Sequence, residues 1–296
     1  MGRLLLGLVV LAVLLGLVGV AGPQEPAVGR TTEPAAATAA TAAQVARAKP
    51  DACGRRPAPK PSGRQWRCTF VDRFDGKRLD RRRWKSFRDK VPPGKDSTCR
   101  RPANARVQNG RLKLTVRRTG KRTGCLFTIG AVSTYHRFSQ RYGRFEARVR
   151  VRKTTERGLH EAFWLWPDDR VKSTLKWPAA GEIDVAETYS QFPDLVVPFL
   201  HYTHNDNGGP KQGVNTSWKC EAKRGRWHRY TLLWGPDRIE IRVDGKRCLL
   251  NTSGDRAFRK RYIVAFTQSV GLRGNAPTSE TPLPATMQVD YIKVWR

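Results

Sequence analysis

The chain has 296 residues, and 56 Lys and Arg face 25 Asp and Glu for a formal net charge of +31 at pH 7. That length suits one large all-β domain with tails. The charge attracts polyanions but bears on association rather than fold, and the basic run Arg81-Arg82-Arg83 lacks the interleaved aromatics of a single-strand binding platform, so nucleic acid is not an expected partner.

Met1-Gly2-Arg3 followed by the apolar run Leu4–Val20, with small residues Gly19 and Ala21, reads as a secretory signal over 1–21. Export to the extracellular side follows. The alternative, an uncleaved anchor, is the one route by which the chain would meet a membrane. Residues 22–64, rich in Ala, Thr and Pro without apolar periodicity, read as a disordered tether. The folded domain is expected over 65–296. Six cysteines in an exported chain favour disulfides over metal ligation. Pairing sequence neighbours gives Cys53–Cys68, Cys99–Cys125 and Cys220–Cys248.

From Trp66 onward, short β-rich runs alternate with Gly, Pro, Asn and Asp, and no helical period is sustained. Arg111–Val116, Arg144–Val151 and Arg238–Val243 alternate apolar with polar, each burying one face. Asn109-Gly110 and Asp244-Gly245 are hairpin signals, since both pairs tolerate positive φ. Many strands with short turns imply an all-β jelly roll, a sandwich of two antiparallel sheets. One sheet would be concave and carry the substrate.

Glu182-Ile183-Asp184-Val185-Ala186-Glu187 sets three carboxylates within one such strand. Glu182 and Asp184 share a face by the pleat, and Glu187 joins them only if a β-bulge shifts the parity by one residue. Two carboxyl groups flanking a sugar bond are the working parts of glycoside hydrolysis: one attacks the anomeric carbon and the other donates a proton to the leaving oxygen. Like charges this close cannot all ionise, so one proton is retained to higher pH. A surface strand whose acids pair with the abundant Arg and Lys, or a calcium site, is the alternative reading of these residues.

The flanking segments decide between them. Phe70–Gly76, Tyr142–Arg148, Glu161–Pro167, Trp177–Glu187, Trp227–Trp234, Ile239–Lys246 and Val289–Trp295, in that order, resemble glycoside hydrolase family 16 from about Trp66 to Arg296. The resemblance implies a concanavalin-like jelly roll with Glu182 as nucleophile, Glu187 as general acid/base and Asp184 tuning the nucleophile. The bulged spelling is similar to laminarinase-like branches, which implies a retaining endo-β-glucanase acting on β-1,3 or mixed linkages, with a polysaccharide as partner, no cofactor and a monomeric state. A transglycosylase, a hydrolase of sulfated galactan and a non-catalytic lectin are the alternatives. Two positions depart from the pattern. His160-Glu161 stands where many laminarinase-like members have Trp-Pro, and Arg73 stands where Glu often helps hold a structural calcium with the Asp of the last block. Asp290 is therefore expected to face Arg73 as an ion pair instead.

Trp164 and Trp166 share a strand face by spacing, and with Trp177, Glu161 and His201 they are the expected sugar contacts. Trp218, Trp227 and Trp295 are expected to be structural. Asn215-Thr216-Ser217 and Asn251-Thr252-Ser253 fit the N-glycosylation pattern.

Overall fold

Alternating apolar side chains build the domain. Leu112, Leu114 and Val116 of one strand are fully buried while Lys113 and Thr115 retain contact with solvent. The computed structural model describes residues 52–60, 62–91, 98–120, 124–171, 176–202 and 211–296; the expected signal segment and most of the expected tether lie outside the described residues. The strands are β1 (Cys68–Asp72), β2 (Lys85–Ser86), β3 (Asp89–Lys90), β4 (Thr98–Arg100), β5 (Ala105–Val107), β6 (Leu112–Arg118), β7 (Phe127–Ser133), β8 (Gly143–Arg150) and β9 (Leu159–Pro167). They continue with β10 (Glu182–Tyr189), β11 (Leu195–His201), β12 (Cys220–Glu221), β13 (His228–Trp234), β14 (Ile239–Val243), β15 (Lys246–Asn251), β16 (Tyr262–Val270) and β17 (Ala285–Trp295).

Two sheets pack as a jelly-roll sandwich. The back sheet runs β15-β14-β13-β8-β17-β6-β5, with β1 beside the C-terminal half of β17. The site-bearing sheet runs β12-β11-β10-β9-β16-β7-β2. Pairing of β6 with β7 at Arg117–Thr128 and Arg118–Phe127 joins the two along one seam. One ladder departs from the expected antiparallel pattern: β4 runs parallel to β7. Between the sheets, Phe163 of β9 stacks on Phe266 of β16 at 5.0 Å, both almost wholly buried. Burying each such ring is worth roughly 1.5–3 kcal/mol.

Both hairpin signals form turns with positive φ, 54° and 64° at Asn109 and Gly110, 49° and 89° at Asp244 and Gly245. All three expected disulfides are present. The first moves the domain boundary. Cys53 is fully buried and bonded to Cys68, and Trp66 donates to the Ala58 carbonyl, so the described residues from 52 to 64 are fastened to the domain and not part of a free tether.

Candidate active site

The acids converge because β10 carries a bulge. Asp184 lies opposite Phe199 and Glu187 opposite Val197 on β11, three steps against two; on β9 the same stretch meets Trp164 and then Phe163 across Ala186. The surplus turns two successive residues, Val185 and Ala186, into the core, 0% and 3% exposed. Glu182, Asp184, Glu187 and Tyr189 then share the outward face. A turn closed by Gly181 N–H on the Pro178 carbonyl launches the strand. Gly181 has φ +93°, and a Cβ there would sit 2.0 Å from the Tyr262 hydroxyl, so this position requires glycine.

That face is hollowed into a cleft of ≈ 460 Å³, lined by His160, Trp164, Trp166 and Glu182 among others. Trp177, 49% exposed, donates its indole N–H to Glu182 Oε2 at 2.7 Å. His201 Nε2 lies 3.4 Å from Asp184 Oδ2, its ring stacked on Phe199 at 4.3 Å. His160 Nε2 lies 2.9 Å from Glu187 Oε1, and the Tyr189 phenol hydrogen-bonds the same carboxylate. Rings continue outward from there: Tyr189 stacks on His160 at 4.9 Å and on Trp218 at 6.1 Å.

Each acid has its own electrostatic environment. Burial, then the neighbouring Asp184, push the Glu182 carboxyl up to about 9, against the opposing pull of His201 and the Trp177 hydrogen bond. Burial, then the charge of Glu187, raise Asp184 well above the ordinary carboxylate range. Two adjoining carboxyls therefore keep at least one proton between them at neutral pH. We place that proton on Asp184, which is only 5% exposed: once Asp184 is neutral its charge no longer pushes Glu182 up, and the indole donor then supports the Glu182 anion. At Glu187 burial acts upward as well, but the hydrogen bonds and charge of His160, with the Tyr189 hydroxyl, outweigh it and hold the group below its usual value. Glu182, Asp184 and His201 also bring donor atoms within 4.8 Å of one another, a spacing a cation can use, although the Trp177 and His201 contacts already engage both carboxylates.

Of the expected sugar contacts, Trp164, Trp166, Trp177 and His201 stand at this cleft or beside its acids. Glu161 does not. It is 1% exposed on the core side of β9, gripped by both terminal nitrogens of Arg224 at 2.8 Å each and by Thr188 and Gln268, so no sugar reaches it. His160, one step along, faces the cleft instead. In the sequence His160 stands out only as part of the departure from Trp-Pro and Tyr189 not at all, and Trp218, expected to be structural, is 38% exposed. The parity that pairs Trp164 with Trp166 also points His160 outward and Glu161 inward, so a signal existed.

Other expectations fail for local reasons. Asp290 accepts from Arg148 at 2.8 Å and not from Arg73, whose guanidinium donates to the Ala52 carbonyl. Asn215 and Asn251 are 4% and 5% exposed. Asn215 Oδ1 accepts from the Lys211 N–H and the Asn251 amide donates to Tyr202 and Val214, which closes both to glycosylation.

The model of the family described as glycosyl hydrolases family 16 matches residues 95–282. A glucan endo-1,3-beta-glucosidase A1 from Niallia circulans is 27% identical over 215 residues, 65% of this chain and 31% of that protein. A beta-glucanase from Rhodothermus marinus is 29% identical over 212 residues, 67% of this chain and 72% of that protein. The chain thus spans under a third of the first of these relatives and more of the second. Among solved structures, the laminarinase from Rhodothermus marinus superposes with a TM-score of 0.66 at 27% identity, covering 78% of this chain and 97% of that one.

Proposed function

The chain belongs to glycosyl hydrolase family 16, and from that membership and the placement of its acids we propose that it hydrolyses a neutral β-glucan, with β-1,3 or mixed linkages, by retaining double displacement. The observation that carries this is the bulge-made face on which Glu182 and Glu187 stand apart in environment, one beside an indole donor and a protonated neighbour, the other beside an imidazole. Glu182 attacks the anomeric carbon. Glu187 protonates the departing oxygen and then activates the water that releases the glycosyl-enzyme ester. Asp184, holding the proton of its pair, keeps Glu182 free to ionise.

A neutral substrate is favoured because the described lining of the cleft contains one guanidinium, Arg100, and Asp89 engages it at 2.5 and 2.6 Å. Secretion belongs to the same reading, supported by the apolar N-terminal run and three disulfides. The test is digestion of laminarin, lichenan, agarose and carrageenan with product linkage and anomer read by NMR. Glu182→Ala should lose roughly 10⁴-fold or more in rate on the glucans, and full activity in that variant on every glucan sinks the assignment.

A further inference from the structure

The acid/base reading needs a proton on Glu187 before the first bond breaks, while the imidazole and phenol beside it favour its anion. The supply is adjacent. His160 faces the cleft with Nε2 at 2.9 Å from Glu187 Oε1, and its ring is fixed by stacking on Tyr189 with only 11° between planes. Its strand neighbours across the ladders are Tyr189 on β10 and Ser269 on β16. Where many laminarinase-like sequences have an indole, this chain has a group that can carry a proton.

Resting on the hydrolase reading, we propose that His160 is the proton reservoir of Glu187, a positioning residue that loads the acid as substrate enters and recovers the proton when the second step ends. In the loading step the Nε2–H bond of the imidazolium breaks, an O–H bond forms at Glu187, and the ring becomes neutral. Glu187 then passes the proton to the glycosidic oxygen as the C–O bond breaks and Glu182 forms the ester. In the second step Glu187 takes a proton from the attacking water and returns it to Nε2, so the cycle closes.

Substrate drives the loading by excluding water. An imidazolium–carboxylate pair loses hydration in a dry cleft, whereas the neutral imidazole–carboxylic acid pair loses little. Around His160, burial acts to lower the imidazole, but the Glu187 hydrogen bond and charge, with Glu161 behind the strand, outweigh it and raise the group above 6.5, while Arg224 opposes them. Tyr189 stays neutral because burial, then Glu187, raise its phenol. From β11, His201 reinforces the anion on Glu187, and Asp184, on β10 with Glu187, opposes it. The His160–Glu187 pair thus holds its shared proton to higher pH than a free imidazole would and loses it as pH rises through the raised imidazole value.

His160→Gln keeps an N–H donor near Glu187 but cannot store a proton. Its folding is checked by thermal melts, and its kcat/KM–pH profile should lose the alkaline limb about one pH unit earlier. On the alkaline side of that limb the deficit amounts to about tenfold, shrinking to within about twofold well below it, with KM little changed. Nitrogen NMR of the full chain should show His160 titrating above 6.5 and falling in Glu187→Gln. A His160→Gln profile that keeps the wild-type alkaline limb, or a His160 titration that Glu187→Gln leaves unmoved, overturns the proposal. Wild-type protein that cleaves no glucan would overturn the hydrolase reading instead, and the NMR arm would still decide whether the two groups share a proton.

Discussion

Arg224→Met tests what holds the catalytic strand in register. Arg224 and Glu161 are 3% and 1% exposed, and their two hydrogen bonds are 2.8 Å each. Glu161 also accepts from Thr188 at 2.6 Å, the residue that follows Glu187 on β10. Removing the guanidinium strands a buried carboxylate with only neutral donors, a loss of about 3–5 kcal/mol. For a domain of this size each kcal/mol moves Tm by about 2–4 °C, so the melt should fall by roughly 6–20 °C at pH 7. The pH dependence has a defined sign. Burial acts to raise Glu161, and the Arg224 charge and hydrogen bonds outweigh it and depress the carboxyl in the folded protein. The pair's contribution is therefore present above the unfolded carboxylate value of about 4.3 and is lost as pH falls through the depressed folded value. In the variant the depressing cause is gone, the buried acid takes up a proton, and the deficit should narrow as pH falls toward about 4. Thermal melts followed by near-UV circular dichroism at pH 4, 5 and 7 measure this. Glu161→Met combined with Arg224→Met should recover most of the loss, since apolar replacement of a whole buried pair is often near neutral. A shift below about 2 °C at pH 7, or a double variant no better than the single, refutes the reasoning.

Trp177→Phe removes the N–H that supports the Glu182 anion while keeping a ring in the cleft. With Asp184 holding the proton, loss of the donor should raise the Glu182 carboxyl and move the acid limb of kcat/KM up by about one pH unit, as a hydrogen bond to a charged group is worth about 1.5–3 kcal/mol; an unmoved limb would show that the indole serves only to stack sugar. Trp218→Ala strips the outermost ring of the His160-Tyr189-Trp218 row. Steady-state kinetics on long laminarin oligosaccharides should show KM raised about fivefold with kcat within about twofold, matching about 1 kcal/mol for one stacked aromatic, and an unchanged KM would exclude Trp218 from substrate contact.

What could be read from the sequence follows from what is local. The face shared by Glu182, Asp184 and Glu187 needs only the two-residue pleat and one surplus residue, and both are visible in the spelling of the strand. The hairpins at Asn109-Gly110 and Asp244-Gly245 likewise depend on two adjacent residues that accept positive φ. Partner choice across the sheets is not local. Asp290 falls where the β17–β8 register shifts between Val289 and Tyr291, and that irregularity hands it to Arg148 on β8. The partner of Glu161 lies 63 residues away on a segment with no periodic signal of its own. Its neighbours in sequence therefore suggest a cleft residue, while its neighbours in space make Glu161 a core anchor.

The bulge joins these two levels. By turning Val185 and Ala186 inward together it sends Glu187 to the cleft, and the same step sends Thr188 to the core, where its hydroxyl meets Glu161. One inserted residue thus places the acid on one face and fastens the strand on the other. The two departures from the Trp-Pro spelling then fall into place as a single change on β9. Glu161 grips Thr188 and Arg224 where a proline could not, and His160 can exchange a proton with Glu187 where an indole could not. Because adjacent residues of a strand face opposite ways, an altered pair at 160 and 161 can retune the acid and its foundation at once, which gives this chain a reason to carry polar groups where an indole and an imino acid would otherwise pack.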